Sequence, residues 1–149
     1  ALVAHAQGMG LKASTVHDAD AAMAQCRLVV TCTPARQVVL HALPRADAFV
    51  CAVGAFTPEM MELSPDVCRY FANHGTIVLD TLDARHEAGD LLQTGLNPDG
   101  YPSLAELRAQ SRPKVQGPVL FKSCGWAGWD LAAARLALRQ STAGGPPGL

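Results

Sequence analysis

Charge is scarce in this chain of 149 residues: Asp, Glu, Lys and Arg make up 17%, the formal net charge is −1, and no basic run occurs. Nucleic acid and anionic membrane surfaces are therefore not expected partners. Aromatic residues are only 5%, and no apolar stretch approaches the roughly 20 residues that a membrane span requires. The first residues lack the charged and long apolar regions of a secretory leader. The five cysteines, at 26, 32, 51, 68 and 124, are odd in number and match no zinc or redox spacing. Cys26, Cys32 and Cys51 stand in or beside apolar runs, where cysteine serves as a small hydrophobe. A reducing cytoplasm is the expected compartment. The histidines at 5, 17, 41, 74 and 86 are scattered without metal-type pairing. No G-x-S-x-G, H-E-x-x-H or G-x-G-x-x-G motif is present.

Hydrophobic residues make up 49%, enough for one well-buried globular core at this length. Four apolar, β-branched runs read as strands: 27–33, 47–54, 76–80 and 118–123. A fifth, shorter stretch, "LKAST" at 11–15, has strand character as well. Helical segments alternate with these runs. One ends at Gly8 and Gly10, one starts after Asp18, and one starts at Ser64-Pro65, an N-cap followed by proline at the first helical position. Short helices are expected at 83–87 and 103–110, and a longer one at 126–140. This rhythm predicts an α/β fold with a mainly parallel sheet, whose ligand crevice lies beyond the strand C-termini. Those ends read "TCTP", "AVGAF", "LDTLD" and "KSCGW". The last helix is apolar nearly all round, so it is expected to pack both on its own sheet and on another domain or subunit. Asp80, Asp83, Glu87 and Asp90 form a carboxylate cluster that fits helix caps and solvent-facing positions better than an acid/base set.

Read in order, "DADAAMAQCRLVVTCTPARQVVL", "FVCAVGAFTPEMMELSPDVCR", "IVLDTLDARHEAGDL", "SLAEL" and "LFKSCGWAGWDLAAARLAL" resemble the ornithine cyclodeaminase/μ-crystallin family over residues 11–140. The resemblance implies a homodimeric NAD- or NADP-dependent oxidoreductase with a Rossmann domain. Residues 1–125 would be the C-terminal part of that domain, and residues 126–140 a helix returning to a dimerisation and substrate domain. Residues 141–149 would be a flexible tail, and the chain a C-terminal fragment. The family's glycine-rich turn, ribose-reading residue and substrate-carboxylate ligands would precede Ala1.

By the same resemblance, Thr31 and Thr33 stand beside the dinucleotide. Val50, Cys51, Ala52 and Val53 lie under the nicotinamide and its ribose. Gly54 allows close backbone approach to the cofactor. Ser123 is a polar contact near the nicotinamide, and Cys124 a neighbour of the substrate. Lys122 shares that motif and reads as a surface lysine. Cyclodeaminases resemble "AVGGDCPGKTEL" where this chain has "AVGAFTPEMMEL". Their catalytic aspartate falls at Phe56, which cannot carry a proton. The resemblance thus favours the branch that reduces cyclic ketimines, such as Δ1-pyrroline-2-carboxylate or Δ1-piperideine-2-carboxylate, to L-proline or L-pipecolate. The alternatives are an ornithine cyclodeaminase or L-alanine dehydrogenase-type enzyme, and a non-enzymatic crystallin-like binding protein. No catalytic residue is expected within this stretch, and no metal.

Overall fold

The computed structural model describes residues 1–34, 36–111 and 115–143. Four short runs of β-branched and apolar residues form strands: β1 (Leu28–Thr31), β2 (Phe49–Ala52), β3 (Thr76–Leu79) and β4 (Val119–Lys122). They pair in parallel in the order β1-β2-β4-β3. The helices are α1 (Leu2–Gly8), α2 (Ala19–Gln25), α3 (Pro65–His74), α4 (Ala84–Glu87), α5 (Gly89–Leu92), α6 (Leu104–Ala109) and α7 (Ala127–Ala143). The expected α/β class and parallel sheet are both present.

Local chemistry explains several boundaries. Asp18 caps α2 by accepting from the Ala21 N–H, and Ser64 caps α3 by accepting from the Val67 N–H. Pro65 opens α3 where no intrahelical N–H is needed. Ser103 and Glu106 form a reciprocal capping box on α6. After α1, Gly10 takes a positive φ of 80°, which turns the chain away from the helix. Residues 11–15 form no strand: a stretch this short holds an extended conformation only when a neighbouring strand accepts its hydrogen bonds.

Side chains alternate across the sheet. Val50, Ala52, Ile77, Leu79 and Leu120 enter a core with Met23, Leu63, Val67, Cys68, Phe71 and Leu91. Neighbours on the other face are more open. Phe49 is 40% exposed, and it lines an apolar depression with Val78, Leu104, Leu107, Val119 and Phe121. The register places Thr31, Ala52, Lys122 and Leu79 in one row at the strand C-termini. That row is buried throughout.

The last helix departs from expectation. Trp126 precedes α7 and is half exposed, and Trp129, Leu131, Leu136 and Leu138 on α7 are 44–65% exposed. The helix does not lie on its own sheet. Residues 141–143, expected in the tail, continue α7, and the part of the expected tail from residue 144 on lies outside the described residues.

Candidate active site at the strand C-termini

Beyond the last buried row, the segments after the four strands meet along one edge. Three buried carboxylates and one buried lysine hold them there. Lys122 is 0% exposed, which corrects its reading as a surface lysine. Strand alternation turns its side chain inward from β4. Its Nζ lies 3.1 Å from Asp90 Oδ2 and donates to the carbonyls of Ala52 (3.3 Å) and Ala55. Asp90 Oδ2 accepts no aligned hydrogen bond, so its contact with Lys122 is an attraction of charge. Asp90 Oδ1 accepts from the backbone N–H groups of Glu62 (2.6 Å) and Leu63 (2.9 Å).

Glu62, also 0% exposed, is the hub of this edge. Its Oε1 accepts from the Thr33 N–H and the Thr33 hydroxyl, both at 2.7 Å. Its Oε2 accepts from the Thr31 hydroxyl and the Gly54 N–H at 2.8 Å, and from the Ala55 N–H at 3.3 Å. Burial pushes this carboxyl up, but the hydrogen bonds from Thr33, Thr31 and Gly54 outweigh it and hold the acid below its ordinary value. Asp80 performs a similar task between β3 and β4. Its Oδ2 accepts from the Ser123 hydroxyl and from the Cys124 and Gly125 N–H groups, each at 2.8 Å, and its Oδ1 from the Thr81 N–H at 2.7 Å.

These positions revise the reading of the carboxylate cluster. Asp80 and Asp90 are buried and organise backbone, whereas Asp83 and Glu87 are not buried. Most of the residues matched by resemblance lie at one edge of the sheet. The hydroxyls of Thr31 and Thr33 both point to Glu62. Val50 and Ala52 are fully buried beneath the edge, Cys51 is half-buried, and Val53 is 36% exposed. A Cβ on Gly54 would sit 2.1 Å from the Thr33 carbonyl and 2.3 Å from Glu62 Oε1. The close approach that Gly54 permits is therefore to Thr33 and Glu62.

Phe56 is half exposed. It lines a depression of about 390 Å³ together with Cys124, Gly125, Trp126, Asp130, Asp83 and Glu87. It is a wall residue and not part of the core. Burial pushes the Cys124 thiol up to about 12, so at neutral pH it is a protonated, non-nucleophilic neighbour of that depression. Val53, Ser123 and Cys124 are themselves small and uncharged, while Asp83, Glu87 and Asp130 line the depression beyond Cys124. The small, uncharged groups suit a planar neutral ring and a ribose. The cation at this edge, Lys122, is already engaged by Asp90 and two carbonyls.

The family model described as "Ornithine cyclodeaminase/mu-crystallin family" matches residues 1–144. The chain belongs to the ornithine cyclodeaminase/mu-crystallin family. Within it, the chain is 39% identical over 121 residues to Delta(1)-pyrroline-2-carboxylate reductase 2 of Burkholderia ambifaria. It is 38% identical over 120 residues to the Delta(1)-pyrroline-2-carboxylate/Delta(1)-piperideine-2-carboxylate reductase of Azospirillum brasilense. Each match covers 80% of this chain and 37% of the relative, so the chain spans little more than a third of the length of these curated relatives. Among solved structures, an archaeal alanine dehydrogenase dimer with bound NAD superposes with a TM-score of 0.77 at 25% identity, covering 95% of this chain and 45% of that one. The Thermococcus litoralis Delta(1)-pyrroline-2-carboxylate reductase in complex with NADH and L-proline gives a TM-score of 0.76 at 25% identity, covering 92% and 44%.

Sequence reasoning missed Glu62. The signal was there: a single carboxylate inside "MMEL", flanked by large apolar residues, has either a buried partner or an unfavourable place.

Proposed function

We propose that the full-length protein carrying this chain reduces a cyclic ketimine, Δ1-pyrroline-2-carboxylate or Δ1-piperideine-2-carboxylate, to L-proline or L-pipecolate. The reductant is NADH or NADPH. The reading is supported by the relatives named as reductases of these two imines and by the neighbour solved with NADH and L-proline. The observation that carries it is Phe56, an apolar residue forming a wall of the depression beside Cys124. The reduced nicotinamide supplies two electrons and a proton, as hydride, to the C=N carbon, and the ring nitrogen is already protonated. No protein base is needed at residue 56. A phenyl wall there packs against ring methylenes, each worth about 0.8 kcal/mol when buried.

In this reading the edge formed by Val53, Ser123 and Cys124 receives the nicotinamide end of the cofactor. The rest of the protein supplies the substrate-carboxylate ligands. The exposed helix α7 returns to a dimerisation and substrate domain, and the protein works as a homodimer. The test is cofactor oxidation by the full-length protein, followed by the loss of reduced-nicotinamide absorbance with each imine in turn. Turnover with one or both supports the reading. Absence of oxidation with both imines and both cofactors would falsify it. Release of ammonia from L-ornithine, or NAD-dependent oxidation of L-alanine, would instead favour an amino-acid oxidoreductase.

A further inference from the structure

Glu62 is 0% exposed, yet it accepts from three backbone N–H groups on two segments of the strand-end edge, Thr33 after β1 and Gly54 and Ala55 after β2. We propose that Glu62 is a positioning residue for the dinucleotide floor, a role that rests on the reading of this edge as the cofactor site. Its two oxygens fix the segment after β1 to the segment after β2. Oε1 takes the Thr33 N–H and Oε2 takes the Gly54 and Ala55 N–H groups. The backbone N–H of Glu62 is in turn held by Asp90, whose other oxygen faces Lys122, and Lys122 donates to the Ala52 and Ala55 carbonyls. The loop 52–55 is thus gripped by its N–H groups through Glu62 and by its carbonyls through Lys122.

The arrangement requires a carboxylate. Both Glu62 oxygens face backbone N–H groups, which cannot reverse to become acceptors. A glutamine has one oxygen and one NH₂ group, so whichever way it is turned, a donor confronts either Thr33 or Gly54. One of the two segments must then let go.

The test uses the full-length protein and the variants Glu62→Gln and Thr31→Val. Valine removes one hydroxyl donor from Glu62 at a position only 7% exposed, so an effect on cofactor binding would be indirect. Three quantities are measured: the NADH and NADPH dissociation constants by nucleotide fluorescence without substrate, amide exchange at Thr33, Gly54 and Ala55, and the kcat and KM values. For Glu62→Gln the expected result is a dissociation constant at least tenfold higher and faster exchange confined to these amides. The KM for the dinucleotide rises, and kcat at saturating cofactor stays within about threefold. Thr31→Val shows the same pattern at two- to fivefold. A cooperatively folded Glu62→Gln protein with an unchanged dissociation constant overturns the proposal. If Glu62→Gln does not fold, an unchanged constant in Thr31→Val overturns it. Wild-type protein that binds neither dinucleotide sinks the cofactor reading of this edge, and the positioning role with it. Wild-type binding beside unmoved variants sinks the positioning role alone.

Discussion

Lys122 and Asp90 show how much a single buried charge depends on its partner. Each is 0% exposed, and they lie 3.1 Å apart. Removing one charge leaves the other buried and uncompensated, which costs about 3–5 kcal/mol. Lys122→Met should therefore lower the unfolding free energy of the full-length protein by that amount in urea melts. A loss under 1 kcal/mol would mean that water reaches Asp90 and that the pair is not sealed. Glu62 gives a prediction in pH. Its folded pKa lies below the ordinary glutamate value of 4.5, so the unfolded chain binds the proton more readily. Its contribution is complete well above pH 4.5 and drains away as pH falls through the unfolded value towards the folded one. Thermal melts of the wild type and Glu62→Gln between pH 7 and pH 3 should converge on the acid side. A gap that stays constant with pH would show that the carboxylate's ionisation contributes nothing.

The elements were legible in the sequence to very different degrees. All four strands and the starts of α2 and α3 could be read from it, because apolar β-branched runs and N-caps act through neighbours along the chain. Most of the matched site residues gather at one edge, because strand C-termini in a parallel sheet share one end. The clamps were not legible: Lys122 meets Asp90, and Glu62 meets Thr31, only across the folded sheet, and a charged residue read singly is assigned to solvent. The stretch 11–15 failed for the same kind of reason, since strand character does not supply a pairing partner. Gly54 joins these two levels. Its Cβ would meet the Thr33 backbone at 2.1 Å, and a backbone atom cannot swing aside as a side chain can. Gly54→Ala should force β1 and β2 apart at their ends and cost about 3 kcal/mol, the upper range for overpacking. The same variant should speed amide exchange at Thr33 while leaving α3 protected. Protection lost uniformly over the chain would assign the glycine to the global fold and not to this junction.

At the scale of the whole molecule, the distribution of apolar surface is uneven. One face of the sheet is sealed by a core of fully buried side chains, while Leu131, Leu136 and Leu138 on α7 stand 51–65% exposed beside Trp129 at 44%. Apolar area left in water forgoes about 25 cal/mol per Å². At about 3.6 residues per turn, Trp129 and Leu136 share one side of α7 and Leu131 and Leu138 the opposite side, and apolar area of this extent marks a surface that another part of a protein covers. The chain spans 37% of its curated relatives, so there is ample further polypeptide in such proteins to do the covering. Leu136→Ala distinguishes the two situations. If α7 is seated against a second domain or a second subunit in the full-length protein, the substitution opens a cavity and costs about 2–3 kcal/mol. A subunit contact would also make the loss depend on protein concentration, whereas a contact within one chain would not. If α7 faces solvent there too, the cost stays within about 0.5 kcal/mol, as for ordinary surface positions. That last outcome would remove the support for α7 as the helix that returns to a dimerisation and substrate domain.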